Sequence, residues 1–358
     1  MGHEGAQRVE EAVADAVALL RTAADRDWEA VRAGGLEWSC RRTAQHVASD
    51  LLAYAGQLAG RAEDAYVPFR ITLDADADAA DALHVIETAG ALFAATLRAT
   101  PPGVRAFHPY PFGSADRDGF AAMGVAEVLA HTSDMAEGLG LGYEPPAELC
   151  AYVLTLIFPH VRPGEAPWPT LLWATGRGEL PGRARLTEWR WRNDLVLPAG
   201  RLALRGVRPA VAADLAMGGD GGFTWVEGGP GEGTRDAAGA LLKAYEAGTH
   251  RPEWGMFVLV RAEDDRAVGG IGFHGPPDGE GRVEVGYDLS AAARSRGHAT
   301  EALRALSAWA LGRDEVTCVT ATTEPGNLAS QAVLGRAGFT RTGGEAQEYA
   351  YELSGPLG

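Results

Sequence analysis

Two groups of residues in this chain combine types and spacings that can do chemistry. In the first half, Glu127-Val-Leu-Ala-His131 sets a carboxylate and an imidazole four residues apart, on one face of a helix. His46 stands in a second helical stretch, Thr43-Ala-Gln-His46-Val-Ala-Ser-Asp50, toward the polar edge of its apolar stripe. Two helices of a bundle can bring these three together. A His/Glu/His set leaves coordination positions open, as a catalytic rather than a structural metal site does. Taken singly, each has a plainer reading: a solvated helix pair, or a satisfied core histidine. Asp50 and Asp134, each close to a ligand in sequence, could orient the imidazoles from behind. Cys40, six residues before His46, reads as a small core residue ahead of a fortuitous ligand, and His108 as packing in a proline-rich loop ahead of lining the mouth of the site.

In the second half, Val283-Glu284-Val285-Gly286-Tyr287-Asp288-Leu289 reads as a strand. It leads through Arg294-Ser295-Arg296-Gly297-His298-Ala299 into a long apolar-periodic helix. A glycine at a helix start lets backbone amides approach an anion. The helix N-terminus adds unsatisfied N–H groups and about half a positive charge. Arg294 and Arg296 could add direct phosphate contacts. Alone, the turn reads equally as an ordinary helix start. Upstream, Phe223–Thr234 is a glycine-rich loop with aromatic and acidic residues, a composition that suits a cationic amine. It lacks a lysine and a dinucleotide-type strand before it, so it is not read as a nucleotide loop.

Residues 202–353 resemble the GNAT acetyltransferases, especially the branch of ribosomal-protein acetyltransferases. The resemblance rests on Glu284 to Leu289, on the R-x-x-G-x-A turn with Thr300-Glu301-Ala302-Leu303, and on Asn327-Leu-Ala-Ser330 followed by Arg336-Ala-Gly-Phe339, in that order. It implies acetyl-CoA between splayed central strands, with its pyrophosphate on the amides of Ser295, Arg296, Gly297, His298 and Ala299, next to Thr300. The thioester carbonyl would meet the N–H groups of the strand at Val285, Gly286 and Tyr287. Glu284 is the candidate base, directly or through a water, with Asp288 on the same strand face as the weaker alternative. The plain reading of Glu284 is a strand carboxylate paired with Arg282. Many relatives offer a tyrosine seven residues after the asparagine as acid for the departing thiolate. Leu334 stands there in this chain; the resemblance to the ribosomal-protein-acetyltransferase branch implies Ser330 in that role. Asn327 would contact the pantetheine arm, cap its helix, or both.

Residues 8–160 resemble the metal-binding bundle of mycothiol-dependent maleylpyruvate isomerases, within the DinB-like superfamily. The matching stretches are Leu36-Glu-Trp38-Ser with His46 to Asp50, Phe107-His108-Pro109 with Gly113 to Asp116, and Met123 to Met135; the Trp168–Trp191 segment also occurs in such proteins. The resemblance implies a divalent ion, zinc by preference, on His46, Glu127 and His131. A thiol such as mycothiol would complete the sphere as thiolate, its pKa lowered by the cation.

These residues need elements to hold them. Spacings of three and four predict helices over Val9–Val31, Thr43–Leu58, Ala79–Leu97, Phe120–Leu139 and Pro146–Phe158, a four- or five-helix bundle. Glycine and proline breaks at 34–35, 101–103, 109–113 and 138–142 separate them. Residues 163–201, rich in Pro and Trp, read as a connecting segment with a strand or hairpin. From Leu202, β-rich runs (Leu202–Ala210, Met256–Gly275, Gly281–Leu289, Val316–Glu324) alternate with helical runs at Ala237–Ala247, Ala299–Leu311 and Ala329–Ala337. The expectation is two domains, an all-α DinB-like bundle at 1–162 and an α+β mixed-sheet GNAT domain at 202–358, joined by 163–201.

Composition narrows the function classes. The 358 residues carry 32 basic and 48 acidic side chains, a net charge of −16, which repels phosphate backbones and argues against nucleic acid. Lys243 is the single lysine, so there is no Walker-type loop. Three distant cysteines, Cys40, Cys150 and Cys318, make no disulfide framework and favour a reducing compartment. With no signal-like start and no apolar run of spanning length, a cytoplasmic protein off the membrane is expected. The Ala, Gly and Arg bias fits a GC-rich, for example actinobacterial, source.

The sequence thus points to an acetyl-CoA-dependent N-acetyltransferase with a small-molecule or peptide amine as acceptor. The first half is either a second, metal- and thiol-dependent transferase or isomerase (even the main activity) or a non-catalytic module for substrate or partner. The acceptor, the metal, the thiol and the oligomeric state are left open.

Overall fold

Amphipathic periodicity builds the first half and strand alternation the second. The computed structural model describes residues 4–101, 104–109, 113–161, 166–192, 194–343 and 348–355. It divides the chain into two units, Met1–Asn193 and Asp194–Gly358. The breaks expected at 101–103 and 109–113, and Pro163, fall partly or wholly outside the described residues.

The first unit is helical: α1 (Glu4–Leu20), α2 (Cys40–Gly60), α3 (Ala79–Ala99), α4 (Arg117–Gly138), α5 (Ala147–Ile157) and α6 (Pro167–Ala174). Local chemistry sets the starts. Ser39 Oγ accepts from Arg42 N before α2, Asp78 and Asp81 form a capping box on α3, and Asp116 accepts from Gly119 N before α4. Helix α4 is buried almost all round and packs on α1, α2 and α5, which puts its polar residues Glu127, His131 and Asp134 inside the unit. A short hairpin, β1 (Arg105–Phe107) with β2 (Ser114–Asp116), precedes it.

Three expectations change here. The helix over Val9–Val31 stops at Leu20 and passes into a 3₁₀ turn, Arg21–Ala23. Asp27 Oδ1 accepts from the amides of Glu29 and Ala30, a local bond that competes with helix, while Trp28 is buried with its indole N–H on Ala23 O. The connecting segment holds the expected strand, Val196–Ala199, which forms a hairpin with Leu202–Gly206, and also an unexpected helix. Its proline-led start makes α6, and Trp173 and Trp191 pack on the helical core. Contrary to the apolar-run expectation, the 21-residue α3 is by length and composition able to cross a membrane. Its Leu83, Ile86, Phe93 and Leu97 are buried and it packs on α1 and α2, as a bundle core helix does.

The second unit is an eight-stranded sheet among the described residues, in the order β3-β4-β5-β6-β7-β8-β10-β9. The strands are β3 (Val196–Ala199), β4 (Leu202–Gly206), β5 (Met256–Arg261), β6 (Ala267–Phe273), β7 (Arg282–Leu289), β8 (Cys318–Thr323), β9 (Thr340–Gly343) and β10 (Tyr349–Ser354). The helices are α7 (Pro209–Ala216), α8 (Glu232–Glu246), α9 (His298–Leu311) and α10 (Leu328–Ala337). The run read as strand over Leu202–Ala210 ends at Gly206, because Pro209 opens α7, where its fixed φ suits the first helical turn. Helix α8 starts five residues before the expected Ala237.

All neighbouring strands pair antiparallel except β7 and β8, which run parallel. That pair joins only Arg282–Glu284 to Cys318–Thr320. Beyond Glu284, β7 continues to Leu289 without β8, so the sheet opens at its centre.

Candidate functional site

The opening between β7 and β8 is flanked by the turn that starts α9. Ser295 and Gly297 both have positive φ, +59° and +84°, and Gly297 is the residue before the helix. The first helical amides have no intrahelical acceptor; the bond from Glu301 N to Gly297 O is the first. Thr300 Oγ1 is buried there without a hydrogen-bond partner. A residue that the sequence reading missed holds the turn: Arg201, just before β4, donates to the Arg296 carbonyl at 2.7 Å and to Glu301 Oε1 at 2.9 Å. Partial burial would raise the Glu301 pKa, and the hydrogen bonds from Arg201 outweigh it, so this carboxyl stays below its usual range. Of the two candidate phosphate arginines, Arg294 turns its Nε back to Leu289 O at 3.1 Å. Arg296 has an exposed side chain.

Ser330 and Asn327 lie at the start of α10. Asn327 Oδ1 accepts from Ser330 N at 3.0 Å, so the asparagine does cap the helix. Tyr287, expected to contribute only backbone, also donates its hydroxyl to Ser330 O at 3.3 Å, and burial lifts its pKa.

Against β6 and β7 lies a cavity of about 600 Å³, walled by α8 and the 249–256 segment. Leu241, Trp254, Met256 and Phe273 give it an apolar side, and Asp288, Asp236 and His274 a polar one. Glu284 is not in its wall. Its Oε2 lies 3.3 Å from His274 Nδ1 and its Oε1 accepts from Thr322 Oγ1 at 3.1 Å. The ion pair considered with Arg282 does not form, since Arg282 pairs with Glu352. The weaker candidate Asp288 does line the cavity, accepting from Thr234 N at 3.4 Å where the glycine-rich loop enters α8.

In the helical unit the three sequence-predicted ligands converge. His46 from α2 and Glu127 with His131 from α4 offer donor atoms that all lie within 4.8 Å of one another. Glu127 Oε2 is 3.2 Å from His131 Nε2 and 3.7 Å from His46 Nε2. Asp134 Oδ2 sits 2.9 Å from His131 Nδ1, and Asp50 Oδ2 3.4 Å from His46 Nε2. Burial opposes a charge on His131, but its hydrogen bonds to Asp134 and Glu127 prevail and push its pKa up to about 9. Burial lowers His46. Burial, with the Glu127 charge, raises Asp50 to about 8.

His46 also borders a cleft of about 850 Å³ with Trp38, Arg42, Tyr54, Tyr66 and Arg70. The supporting residue missed from sequence is Arg177, which donates to both oxygens of Asp134. Cys40 is fully buried against Met135 O and stands outside the ligand group. His108 packs among the rings of Tyr54, Tyr66, Phe120 and Trp191.

Comparison with known proteins bears on the second unit. Residues 201–340 match the family model described as the acetyltransferase (GNAT) domain. YjdG, an N-acetyltransferase of Bacillus subtilis (strain 168), is 39% identical over 83 residues, 23% of this chain. The match spans about half (49%) of that relative's own length. Among solved structures, a GNAT-family acetyltransferase of Bacillus anthracis is 19% identical, covering 45% of this chain and 98% of its own, with a TM-score of 0.32. An acetyltransferase of Agrobacterium tumefaciens is 24% identical over 49% of this chain and 100% of its own, with a TM-score of 0.33.

Proposed function

We propose, from a GNAT acetyltransferase domain at residues 201–340, that the second unit transfers an acetyl group from acetyl-CoA to an amine. The observation that carries this reading is the central opening of the sheet, where β7 leaves β8 after Glu284 beside the α9 turn. The residues present fit acetyl-CoA: the helix-start amides lack acceptors and Thr300 Oγ1 is a buried hydroxyl without a partner. Ser295, Arg296, Gly297, His298, Ala299 and Thr300 would hold the pyrophosphate, and Asn327 the pantetheine arm. Acetyl-CoA supplies the acetyl group as an activated thioester. The β7 amides of Val285, Gly286 and Tyr287 stabilise negative charge on its carbonyl oxygen. Ser330 returns a proton to the departing sulfur.

The acceptor amine binds in the 600 Å³ cavity, its cationic head drawn to Asp288 and Asp236 and its body to Trp254 and Phe273. An ammonium cannot attack, so its proton leaves on the Glu284 side of β7. Native mass spectrometry with acetyl-CoA, followed by a thiol-release assay over a panel of primary amines, tests this. One acetyl-CoA per chain and amine-dependent thiol release are expected. A chain that takes up no acetyl-CoA would remove the reading.

For the first unit, the convergence of His46, Glu127 and His131 supports a DinB-like, maleylpyruvate-isomerase-like metal site. These donors fit a divalent cation, zinc by preference, with Asp134 holding the His131 ring. The cation would lower the pKa of a bound thiol such as mycothiol and so provide a nucleophile at neutral pH. Protein purified without chelators should carry one metal per chain, and His131→Ala none. Thiol-dependent activity lost in His131→Ala marks a second enzyme. Unchanged acetyl transfer with altered acceptor affinity in that variant marks a binding module instead.

A further inference from the structure

We propose that the group taking the acceptor's proton in the second unit is the imidazole of His274, with Glu284 as the residue that positions it; this rests on the acetyltransferase reading of the same site. His274 follows the last residue of β6, and its N–H donates to the Glu284 carbonyl at 3.0 Å. Residues directly opposed across an antiparallel pair share a face, so the two side chains meet. Nδ1 lies 3.3 Å from Glu284 Oε2, while Thr322 Oγ1 donates to Oε1 at 3.1 Å and steadies the carboxylate. A carboxylate only accepts, so Glu284 at 3.3 Å from Nδ1, an ion-pair distance rather than a formed hydrogen bond, favours the tautomer with the ring proton on Nδ1 and the lone pair on Nε2.

Nε2 points to where the chemistry would occur. A Cβ on Gly286 would lie 2.9 Å from it, so the ring fills the space that any larger residue at 286 would need. Gly286 belongs to the stretch of β7 whose amides would face the thioester. Nε2 has no protein partner among the described residues, and His274 lines the acceptor cavity while Glu284 does not. In the same cavity, Thr234 Oγ1 is buried without a hydrogen-bond partner, a vacancy that a polar group of a bound acceptor would fill.

The step balances as follows. Nε2 takes one proton from the acceptor ammonium, and the freed nitrogen pair forms the N–C bond to the acetyl carbon. The C–S bond breaks with its electron pair on sulfur. Ser330 gives its hydroxyl proton to sulfur and is reprotonated by the nitrogen's second proton, and the imidazolium later returns its own to solvent. The charged and titratable groups that share this space are Glu284, Tyr287 and Asp288 from β7, Asp236 from α8, and His250 and Arg251 from the segment after α8. Their mixture of signs makes the pH profile of the variants, rather than of wild type alone, the decisive readout.

Two measurements test the proposal. The first is NMR of protein with ¹⁵N-labelled histidines, the His274 signal being the one lost in His274→Gln. A neutral ring protonated on Nδ1 is expected, reverting toward the Nε2–H form in Glu284→Ala; an Nε2–H ring in wild type overturns the dyad. The second is acetyl transfer to 2-phenylethylamine. His274→Gln should lose about 100-fold in kcat, keep its Kd for acetyl-CoA within about twofold, and lose the acidic limb of the kcat/KM profile. Glu284→Gln should lose less, about tenfold, because the histidine remains. Glu284→Gln more damaged than His274→Gln would make Glu284 the base and overturn the proposal. If wild type does not bind acetyl-CoA, the acetyltransferase reading fails and the base assignment falls with it, whatever the ring tautomer. If it binds acetyl-CoA and 2-phenylethylamine does not accept, the tautomer decides for or against His274.

Discussion

Arg177 grips Asp134 through both carboxylate oxygens, at 3.0 Å from Nε to Oδ1 and 2.8 Å from Nη2 to Oδ2, and Asp134 Oδ2 in turn lies 2.9 Å from His131 Nδ1. The chain of contacts fixes the ring so that Nε2 faces Glu127. Partners behind a ligand set its orientation and basicity, and their loss costs about 10- to 100-fold in metal affinity. Arg177→Gln should therefore weaken zinc binding by about that factor in competition titrations with a chromogenic chelator, with little change in helix content. Unchanged affinity would reduce Arg177 to a structural ion pair.

The α9 turn gives a prediction for the acetyl-CoA site. Gly297→Glu places a carboxylate at the helix start and a side chain at φ +84°, and should abolish acetyl-CoA binding by calorimetry. Gly297→Ala carries the backbone strain without the charge. It should bind more weakly than wild type and remain measurable. Equal loss in both variants would assign the effect to backbone strain alone.

Asn327 and Ser330 share one hydrogen bond, yet their substitutions should separate. Asn327→Ala removes the cap of α10 and should cost about 1 kcal/mol in chemical denaturation. Ser330→Ala keeps the backbone N–H that the cap uses. Its stability should match wild type while kcat falls by about tenfold or more, as for loss of a proton donor. A Ser330→Ala enzyme with full kcat would pass the donor role elsewhere, Tyr287 being the neighbouring hydroxyl.

The buried thiols set an alkaline limit on stability. Burial pushes Cys40 from 9.0 up to about 11 and Cys150 up to about 12. Above pH 9 the unfolded chain releases thiol protons that the native chain still holds, so stability falls as pH rises until the native thiols ionise in turn. The melting temperature should decline between pH 9 and 11, and less steeply in Cys40→Ala. At pH 8, iodoacetamide should leave both cysteines unmodified in the native protein and label them after unfolding.

The sequence by itself determined which residues can do chemistry and the type of element that carries each. Glu127 and His131 share a helix face because 3.6 residues make a turn, and the glycine turn before α9 is legible because only a few residue types accept that backbone. Periodicity likewise reveals a helical half and a strand-rich half. It could not reveal partners brought from far along the chain. Arg177 reaches Asp134 across 43 residues, Arg201 reaches Glu301 across 100, and Glu284 finds Thr322 rather than the nearby Arg282. Nor could it show that Trp28 ends in a loop or that residues 167–174 form a helix, because side-chain bonds and packing on the bundle override local pattern there. His274 is the plainest case. In the sequence it is one histidine after a strand; the pairing of β6 with β7 sets it opposite Glu284 and over Gly286. Local pattern depends on neighbours a few residues away, whereas the identity of a side chain's partner is fixed only when the sheet and the bundle close.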